Sequence, residues 1–188
     1  MKRKEKILLL YPGEFYSKGW GRFIHLKPHM VYIYTYLQQF FDVTVVDLEN
    51  EFSRPETPEE LSAFKAQALE RVLGLEVDLE AISCWSSLNY LSSVYFAEKI
   101  KEHRPDTTIV VGGYHPTFMP QDFTYPDSPF DHVVTGEIQN IFKAVHTGLF
   151  KEIDTYRIVP DFRSYPYFDN QKTLGIFLGA GCPFHCRY

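Results

Sequence analysis

Short apolar runs rich in Val and Ile alternate along the chain with segments of helical periodicity. Each run has the length of a strand and is apolar at consecutive positions, which is typical of strands buried on both faces of a parallel sheet. The runs are KILLL (6–10), DVTVVDL (42–48), LEAISCW (79–85), TTIVVGG (107–113) and DHVVTGE (131–137). The pattern therefore predicts five parallel strands.

Four segments between and after these strands show the three- and four-residue apolar spacing of amphipathic helices. The first begins at Pro28, and the second begins at Thr57, where Thr-Pro-Glu-Glu forms a capping box with proline in the first turn. The third is predicted over about 87–103 and the last over about 139–147. The residues predicted to face inward are Met30, Ile33, Leu37, Phe40 and Phe41, then Leu61, Phe64, Ala68, Val72 and Leu75, then Leu91, Val94, Ala97 and Ile100, and finally Ile141, Phe142 and Val145.

Strands that alternate with helices predict an α/β fold with a doubly wound, five-stranded parallel sheet of Rossmann-like or flavodoxin-like architecture over residues 1–150. Parallel neighbours need helical crossovers, and these cover both faces of the sheet. After Gly148 the periodicity ends. We therefore predict that 151–188 is a linker that leads into a sixth strand, TLGIFL (173–178), which need not belong to the first sheet.

Two predicted connections exceed the roughly 2 to 6 residues that are usual between strand and helix in α/β units. They span 11–27 after the first strand and 114–130 after the fourth. Both leave the carboxyl ends of strands, which is the edge where open α/β sheets bind ligands. We call this edge the rim, and we assign Pro12 and Gly13 of the first connection to the candidate site.

Composition narrows the class of protein. The 188 residues carry a net charge of -5, and 45% are hydrophobic and 23% charged, which is the balance of a soluble globular protein and gives no support to nucleic-acid binding. No apolar run approaches the ~18 residues that cross a bilayer, so we expect no membrane association. Only three cysteines occur, and Cys84 lies inside a predicted strand, so we expect a reducing, cytoplasmic location.

Three common ligands of this architecture lack their motifs here. The first connection does not supply the Gly-x-Gly-x-x-Gly of a dinucleotide site, and no phosphate-binding loop with Gly-Lys-Ser/Thr occurs. A receiver domain needs acidic residues at the ends of strands one and three to hold magnesium. Those strands end in Tyr11-Pro12 and in Cys84-Trp85.

The third and fourth strand ends are more informative. AISCWSSLNY (81–90) and VVGGYHPT (110–117) resemble the Ser-x-Leu and Gly-Gly stretches of the cobalamin-binding domain. On this resemblance Ser83 is the family serine, Trp85 stands where leucine is usual, and Ser87 is a second hydroxyl. Gly112 and Gly113 match the glycine pair. The resemblance implies cobalamin as the cofactor, with the strand ends and glycines making room for the corrinoid and its nucleotide tail.

Other interpretations of these residues stay open. Glycines permit close approach to a backbone, and hydroxyls at a strand end are free to bond a polar group, so a ligand site is one explanation. A turn after the strand explains Gly112 and Gly113 equally well. Ser83 and Ser87 are alternatively strand-end and cap residues.

Histidine ligation of cobalt is not expected. Cobalamin-dependent mutases and methionine synthase carry Asp-x-His-x-x-Gly after the first strand, with the histidine below the cobalt. In this chain no Asp precedes Asp42, and His25 and His29 lie in the corresponding stretch without an acidic partner or the glycine. His115, which follows the glycine pair and Tyr114, is expected to touch the corrin or its amides. We therefore expect that no histidine of this chain ligates cobalt.

Cys182 and Cys186 lie four residues apart in GAGCPFHCRY (179–188). A cysteine at position 189 would complete Cys-x-x-x-Cys-x-x-Cys, so the pair resembles the signature of radical S-adenosylmethionine (radical SAM) enzymes. That resemblance implies three thiolates on a 4Fe-4S cluster whose open iron binds S-adenosylmethionine. We expect the chain to be the amino-terminal piece of a longer enzyme, cut inside this motif. Half a zinc site and an exposed loop are the alternatives for the pair.

The order of the segments resembles the cobalamin-dependent class of radical SAM enzymes. Gly136 and Glu137 match the Gly-Glu that follows the fifth strand in that class, and we assign both to the cofactor site. The resemblance implies a methyltransferase that acts on an unactivated carbon through methylcobalamin and a 5'-deoxyadenosyl radical, or an enzyme of ring formation or rearrangement. It also implies a small-molecule or natural-product substrate and an electron donor such as flavodoxin or ferredoxin.

The piece alone is expected to bind corrinoid and to generate no radical. The alternative function is a non-catalytic corrinoid-binding or sensing module, or an α/β domain that has lost its ligand.

Overall fold

The computed structural model of the chain describes residues 4–15, 26–141 and 158–170. Several of the sequence predictions lie outside these ranges, so nothing structural follows for them. They concern His25, the last predicted helix beyond residue 141 with Phe142 and Val145, the sixth strand at 173–178, and the cysteines Cys182 and Cys186.

The described residues contain one sheet of five parallel strands in the order β2-β1-β3-β4-β5. The strands are β1 (Lys6–Tyr11), β2 (Asp42–Asp47), β3 (Leu79–Ser83), β4 (Thr108–Gly112) and β5 (His132–Val134). Each of the predicted apolar runs overlaps one of them, and β1 extends one residue beyond its run. The predicted α/β class and the parallel sheet are therefore confirmed.

Five α-helices accompany the sheet in the described part of the chain. They are α1 (Pro28–Leu37), α2 (Leu48–Phe52), α3 (Pro58–Leu73), α4 (Tyr90–His103) and α5 (Tyr114–Phe118). The short helices α2 and α5 were not predicted. Helix α2 forms because the Asp47 carboxylate accepts hydrogen bonds from the amides of Glu49 and Asn50 and so caps its first turn. None of these helices is both long and apolar enough to cross a membrane.

Strand β1 divides the core into two layers because its side chains alternate between the faces of the sheet. Ile7, Leu9 and Tyr11 face the layer that contains α1. Leu8 and Leu10 face the layer that contains α3 and α4. Helices therefore cover both faces, which confirms the doubly wound arrangement, and we refer below to the α1 face and the α3/α4 face.

Helix α4 differs from its prediction. Leu91 was expected to face inward but is 53% exposed, whereas Ser92, Ser93 and Phe96 are fully buried. The Ser92 hydroxyl donates to the carbonyl of Gly13, so the helix is turned to place polar groups beside the first connection. Hydrogen bonding to the rim, rather than apolar spacing alone, orients the start of this helix.

Residues 158–170 of the predicted linker pack against the sheet on the α1 face. Tyr165 and Tyr167 are buried there. The Asp161 amide donates to the Thr35 hydroxyl on α1 at 2.9 Å, and the Tyr167 hydroxyl accepts from the Asp47 amide at 3.1 Å. Residues 158–170 are thus held against α1 and β2. The predicted domain boundary near residue 150 stays a prediction.

Candidate cofactor site at the rim

The part of the rim formed by β1 and β2 is filled by a network of ion pairs. The Lys27 ammonium lies 2.9 Å from Asp47 Oδ2 and 3.2 Å from Glu49 Oε2. Arg54 Nε lies 2.9 Å from Glu49 Oε1, and Arg54 Nη1 lies 3.5 Å from Glu14 Oε2. Asp47 is fully buried and Lys27 nearly so. The chain's own charged side chains therefore occupy this part of the rim.

Burial dominates the electrostatics of this network. It raises the pKa of Asp47, while the Lys27 ammonium acts in the opposite direction. Burial also raises the pKa of Glu14, partly offset by Arg54. Because a charge that is removed from water is stable only when it is paired, Lys27 and Arg54 stabilise the buried carboxylates that they contact.

Pro12 and Gly13 are buried next to this network. Gly13 has a φ of 72°, and a Cβ at this position would lie 3.0 Å from Glu49 Cγ. Its carbonyl accepts hydrogen bonds from Asn89 Nδ2 at 2.9 Å and from the Ser92 hydroxyl. The backbone of Gly13 is thus engaged in contacts within the protein. Its sequence position at the rim did not indicate these contacts.

Ser83 and Gly112 come together at the ends of β3 and β4, where they are register partners. Ser83 is 4% exposed, and its hydroxyl has no hydrogen-bond partner among the described residues. Strand alternation places Ser83 on the α1 face with Ala81. Gly112 brings no side chain to the site, and a Cβ there would stand 3.5 Å from Val134 Cβ. A buried hydroxyl without a partner beside a glycine fits a bound polar group.

Gly113 has a different role from Gly112. Its φ is 128° and its ψ is -169°, a region that is essentially restricted to glycine. A Cβ at Gly113 would lie 2.3 Å from the carbonyl oxygen of Cys84. The turn after β4 therefore requires glycine at position 113, because its backbone packs closely against Cys84. Gly112, by contrast, borders the buried hydroxyl of Ser83.

Four ring side chains form an aromatic row that runs from the interior to the surface of the rim. The His29 and Trp85 rings stack with centroids 3.9 Å apart and an interplanar angle of 14°. The ring centroids of Trp85 and Tyr114 lie 4.2 Å apart, and those of Tyr114 and Phe118 lie 6.3 Å apart. Tyr114 is 53% exposed and Phe118 is 75% exposed. The outer end of the row offers flat apolar surface to a ligand.

His29, at the inner end of the row, is neutral. Burial, reinforced by the nearby Lys27 charge, lowers the pKa of His29 to about 3. Its Nε2 is buried and has no hydrogen-bond partner among the described residues. The imidazole therefore offers an unused hydrogen-bonding atom inside the protein.

His115 pairs with an acidic residue that the sequence did not indicate. Its Nε2 lies 2.8 Å from Asp122 Oδ2, and its ring packs against Tyr90 and Phe123. The other ring nitrogen, Nδ1, is enclosed by protein and has no partner among the described residues. Since Nε2 is paired with Asp122 and Nδ1 is enclosed, His115 is poorly placed to ligate cobalt. The expectation that no histidine does so stays a prediction.

The remaining candidates lie on the surface of the rim and do not converge on Ser83. Ser87 is exposed, and the capping hydroxyl of this turn belongs to Ser86, which accepts from the Leu88 amide. Gly136 and Glu137 are exposed after β5. The Gly136 amide donates to Thr117 at 2.9 Å, which ties the turn after β5 to α5.

No group of three or more His, Cys, Asp or Glu side chains among the described residues is arranged to hold a metal ion. Cys84 is buried in the core, where burial raises the pKa of its thiol to about 11. A thiol held protonated in this way is a poor metal ligand.

Three solved structures are similar to the chain. A signal receiver domain of an HD domain-containing protein from Pseudomonas fluorescens Pf-5 is 15% identical, with a TM-score of 0.46 over 78% of this chain and 88% of that chain. A cobalamin-binding protein from Desulfitobacterium hafniense DCB-2 is 14% identical, with a TM-score of 0.40 over 74% of this chain and 57% of that chain. The two-component response regulator RcsB, in a complex with DNA, is 14% identical, with a TM-score of 0.44 over 86% of this chain and 74% of that chain.

No curated protein matches the chain. A family model, by contrast, covers most of the described fold: the model of the B12 binding domain matches residues 23–146. This range includes the ends of β3 and β4 with Ser83 and Gly112, and it spans more than half of the chain. The chain therefore belongs to the B12 binding domain family.

Proposed function

We propose that this chain binds cobalamin over the carboxyl ends of β3 and β4 as the cofactor-binding portion of a cobalamin-dependent radical SAM enzyme. Membership of the B12 binding domain family supports the cofactor. The observation that carries the location is the buried Ser83 hydroxyl, which lacks a partner among the described residues and lies beside Gly112. Polar groups that are buried in this way are normally hydrogen-bonded.

The residues at this end of the sheet fit the two chemical parts of cobalamin. Ser83 and Gly112 provide a hydroxyl and a position without a side chain, which suit the polar tail. Tyr114 and Phe118, at the exposed end of the aromatic row, suit the flat and largely apolar corrin ring. The ion pairs of Lys27 occupy the rim above β1 and β2, which leaves the part above β3 and β4 for the ligand.

Bound cobalamin would supply a carrier for methyl transfer. The radical SAM part of the proposal adds a cluster that would generate a radical on the substrate. Cys182 and Cys186 would be two of the three thiolates on a 4Fe-4S cluster that binds S-adenosylmethionine. The reaction would be methylation of an unactivated carbon in a small-molecule or natural-product substrate. An electron donor such as flavodoxin or ferredoxin would supply the reducing equivalent in the cytoplasm. The spacing of the cysteines and the order of the segments support this proposal.

Co-elution of hydroxocobalamin with the protein tests the binding proposal. The chain is mixed with excess hydroxocobalamin and passed through gel filtration, and the visible absorbance that elutes with the protein is measured. The proposal predicts about one equivalent per chain. A protein peak that retains no cobalamin contradicts it and favours an α/β domain without this ligand.

A matched pair of variants tests the role of the aromatic row. Phe118→Ser removes a ring that is 75% exposed, and Val159→Ser removes an apolar side chain that is 83% exposed in the linker segment. Both changes affect surface positions, so neither is expected to unfold the protein. Phe118→Ser should weaken cobalamin binding severalfold, and Val159→Ser should leave it unchanged. Equal affinities in the two variants would argue against a corrin on the aromatic row.

Anaerobic addition of ferrous iron and sulfide tests the cysteine pair. Iron uptake is compared between the parent chain and a Cys182→Ser/Cys186→Ser double variant. The proposal predicts that the iron bound by the parent depends on these two thiols. Iron uptake that is the same in the double variant contradicts the assignment of the pair to a cluster.

A further inference from the structure

Residues 158–170, which we call the clasp, contain two buried tyrosines with different contacts. Tyr165 is 2% exposed and Tyr167 is 9% exposed. The Tyr167 hydroxyl accepts a hydrogen bond from the Asp47 amide at 3.1 Å, donates to the Glu51 carboxylate and lies 3.4 Å from the Val45 carbonyl oxygen. The Tyr165 hydroxyl is buried and has no hydrogen-bond partner among the described residues. Tyr167 therefore carries the polar attachment of the clasp, and Tyr165 contributes its ring.

Tyr167 binds the outer edge of β2. In the sheet that the described residues form, β2 is an edge strand and pairs with β1 on one side. The Asp42 amide donates to the Glu5 carbonyl, on the side of β1. Because backbone groups alternate in direction along a strand, the even positions of β2 point toward β1 and the odd positions point outward. The contacts of Tyr167 with Val45 and Asp47 thus lie on the outer edge.

The outer edge of a sheet is a template for pairing with another chain unless something covers it. The sequence of β2, DVTVVD, is rich in the β-branched residues that favour strand pairing. Val45, Val46 and Asp47 are buried, whereas Asp42 and Thr44 at the start of the strand are exposed. The clasp contacts the buried half, where its hydroxyl takes the hydrogen bond that a neighbouring strand would take. It therefore covers the part of the edge that is best suited to pairing.

We propose that the clasp closes the β2 edge, and that the edge beneath it is a self-association surface for the β2 edge of a second copy of this chain. Two identical edges pair about a two-fold axis, because each offers the other the same amide and carbonyl groups. Cross-strand contacts between β-branched side chains add to such a pair. The inference goes beyond the proposed function, since it concerns the linker and the sheet edge and does not depend on a cofactor.

Trypsin cleavage after Arg163 tests whether Tyr167 holds the clasp closed. Arg163 is an exposed residue of the clasp, and cleavage requires the segment to leave the surface, so its rate follows the population of the open form. Tyr167→Phe keeps the ring and removes the bonded hydroxyl. Tyr165→Phe is the matched control, because it removes a buried hydroxyl that makes no hydrogen bond to the described residues.

The loss of one hydrogen bond corresponds to a change of about fivefold in an equilibrium. We expect cleavage after Arg163 to be about fivefold faster in Tyr167→Phe than in the wild type, and unchanged in Tyr165→Phe. Equal cleavage rates in the two variants would overturn the role of Tyr167 in the clasp.

Sedimentation equilibrium of the full chain tests the surface beneath the clasp. In a Tyr165→Ser/Tyr167→Ser variant, shown to be folded by circular dichroism, the average mass should rise with concentration above that of the wild type. Adding Val43→Pro removes an amide from an outward position and keeps the ladder with β1, so it should restore the mass of the wild type. A folded double variant with the mass of the wild type, or association that persists with Val43→Pro, would overturn the proposal.

Chemical cross-linking gives a second measurement on variants that keep both rings. At equal concentration Tyr167→Phe should yield severalfold more cross-linked dimer than Tyr165→Phe, because more of its chains have an open clasp. Equal yields from the two variants would contradict self-association through the edge that the clasp covers.

Discussion

The glycine pair after β4 offers a sharp comparison, because the two residues have the same chemistry and different surroundings. Gly113 has a φ of 128° and a ψ of -169°, which an alanine rarely adopts. A Cβ at Gly113 would lie 2.3 Å from the Cys84 carbonyl oxygen, a backbone atom that is unable to rotate away. At Gly112 the nearest atom would be Val134 Cβ at 3.5 Å, an ordinary contact.

The expected magnitude follows from two effects at Gly113. The backbone conformation costs about 1 to 3 kcal/mol for a residue other than glycine, and overpacking against a fixed atom costs about 1 to 3 kcal/mol more. Gly113→Ala should therefore lower the free energy of unfolding by about 4 kcal/mol. For a chain of this size, that corresponds to a fall of about 10 °C in melting temperature. Gly112→Ala should change the free energy by less than about 1 kcal/mol.

Urea unfolding followed by circular dichroism measures both variants against the wild type. The two changes add the same methyl group at neighbouring positions, so their difference isolates the local geometry. Similar free energies of unfolding for Gly113→Ala and Gly112→Ala would refute the conclusion that the Cys84 carbonyl and the unusual backbone of Gly113 require glycine.

Three further changes test other parts of the structure. Burial raises the pKa of Glu80 to about 7, against the opposing effect of Arg104. Because the folded state then holds this proton more tightly than the unfolded state, the free energy of unfolding should fall by about 3 kcal/mol as pH rises from about 4.5 to 7. Urea unfolding across this pH range should show that the free energy of unfolding of Glu80→Gln lacks this fall. The same dependence on pH in Glu80→Gln and the wild type would contradict the role of Glu80. Lys27→Met leaves the Asp47 carboxylate buried without its cation and should cost about 3 to 5 kcal/mol at pH 7, with a smaller loss at pH 5, both measured by urea unfolding. Tyr167→Phe removes hydroxyl hydrogen bonds at β2 and should cost about 1 kcal/mol in the same assay, while a titration should find cobalamin affinity unchanged.

The sheet was predictable from sequence because parallel strands buried on both faces leave a local signature. Each of the five apolar runs coincides with one strand to within a few residues, and Thr57 caps α3 as its capping box predicted. Helix α4 was less predictable. The burial of Ser92 depends on its hydrogen bond to Gly13, far away in the chain, and this contact turns Leu91 toward solvent.

The candidate site divides in the same way. The adjacency of Ser83 and Gly112 follows from strand ends that meet at one edge of a parallel sheet, so the motif sufficed to find it. The stack of His29 on Trp85 and the pairing of His115 with Asp122 depend on the packing of helices and loops, which no local pattern encodes. The motif also could not separate Gly112, beside the buried hydroxyl, from Gly113, which the turn requires.

The most direct test of a cobalamin site at the ends of β3 and β4 is an equilibrium titration of hydroxocobalamin against the wild type and Gly112→Leu. The leucine side chain would add bulk at the register partner of Ser83, and circular dichroism establishes that the variant is folded before the titration. We expect about one equivalent bound by the wild type and at least tenfold weaker binding by Gly112→Leu. A folded Gly112→Leu that binds cobalamin as tightly as the wild type would place the cofactor away from the ends of β3 and β4.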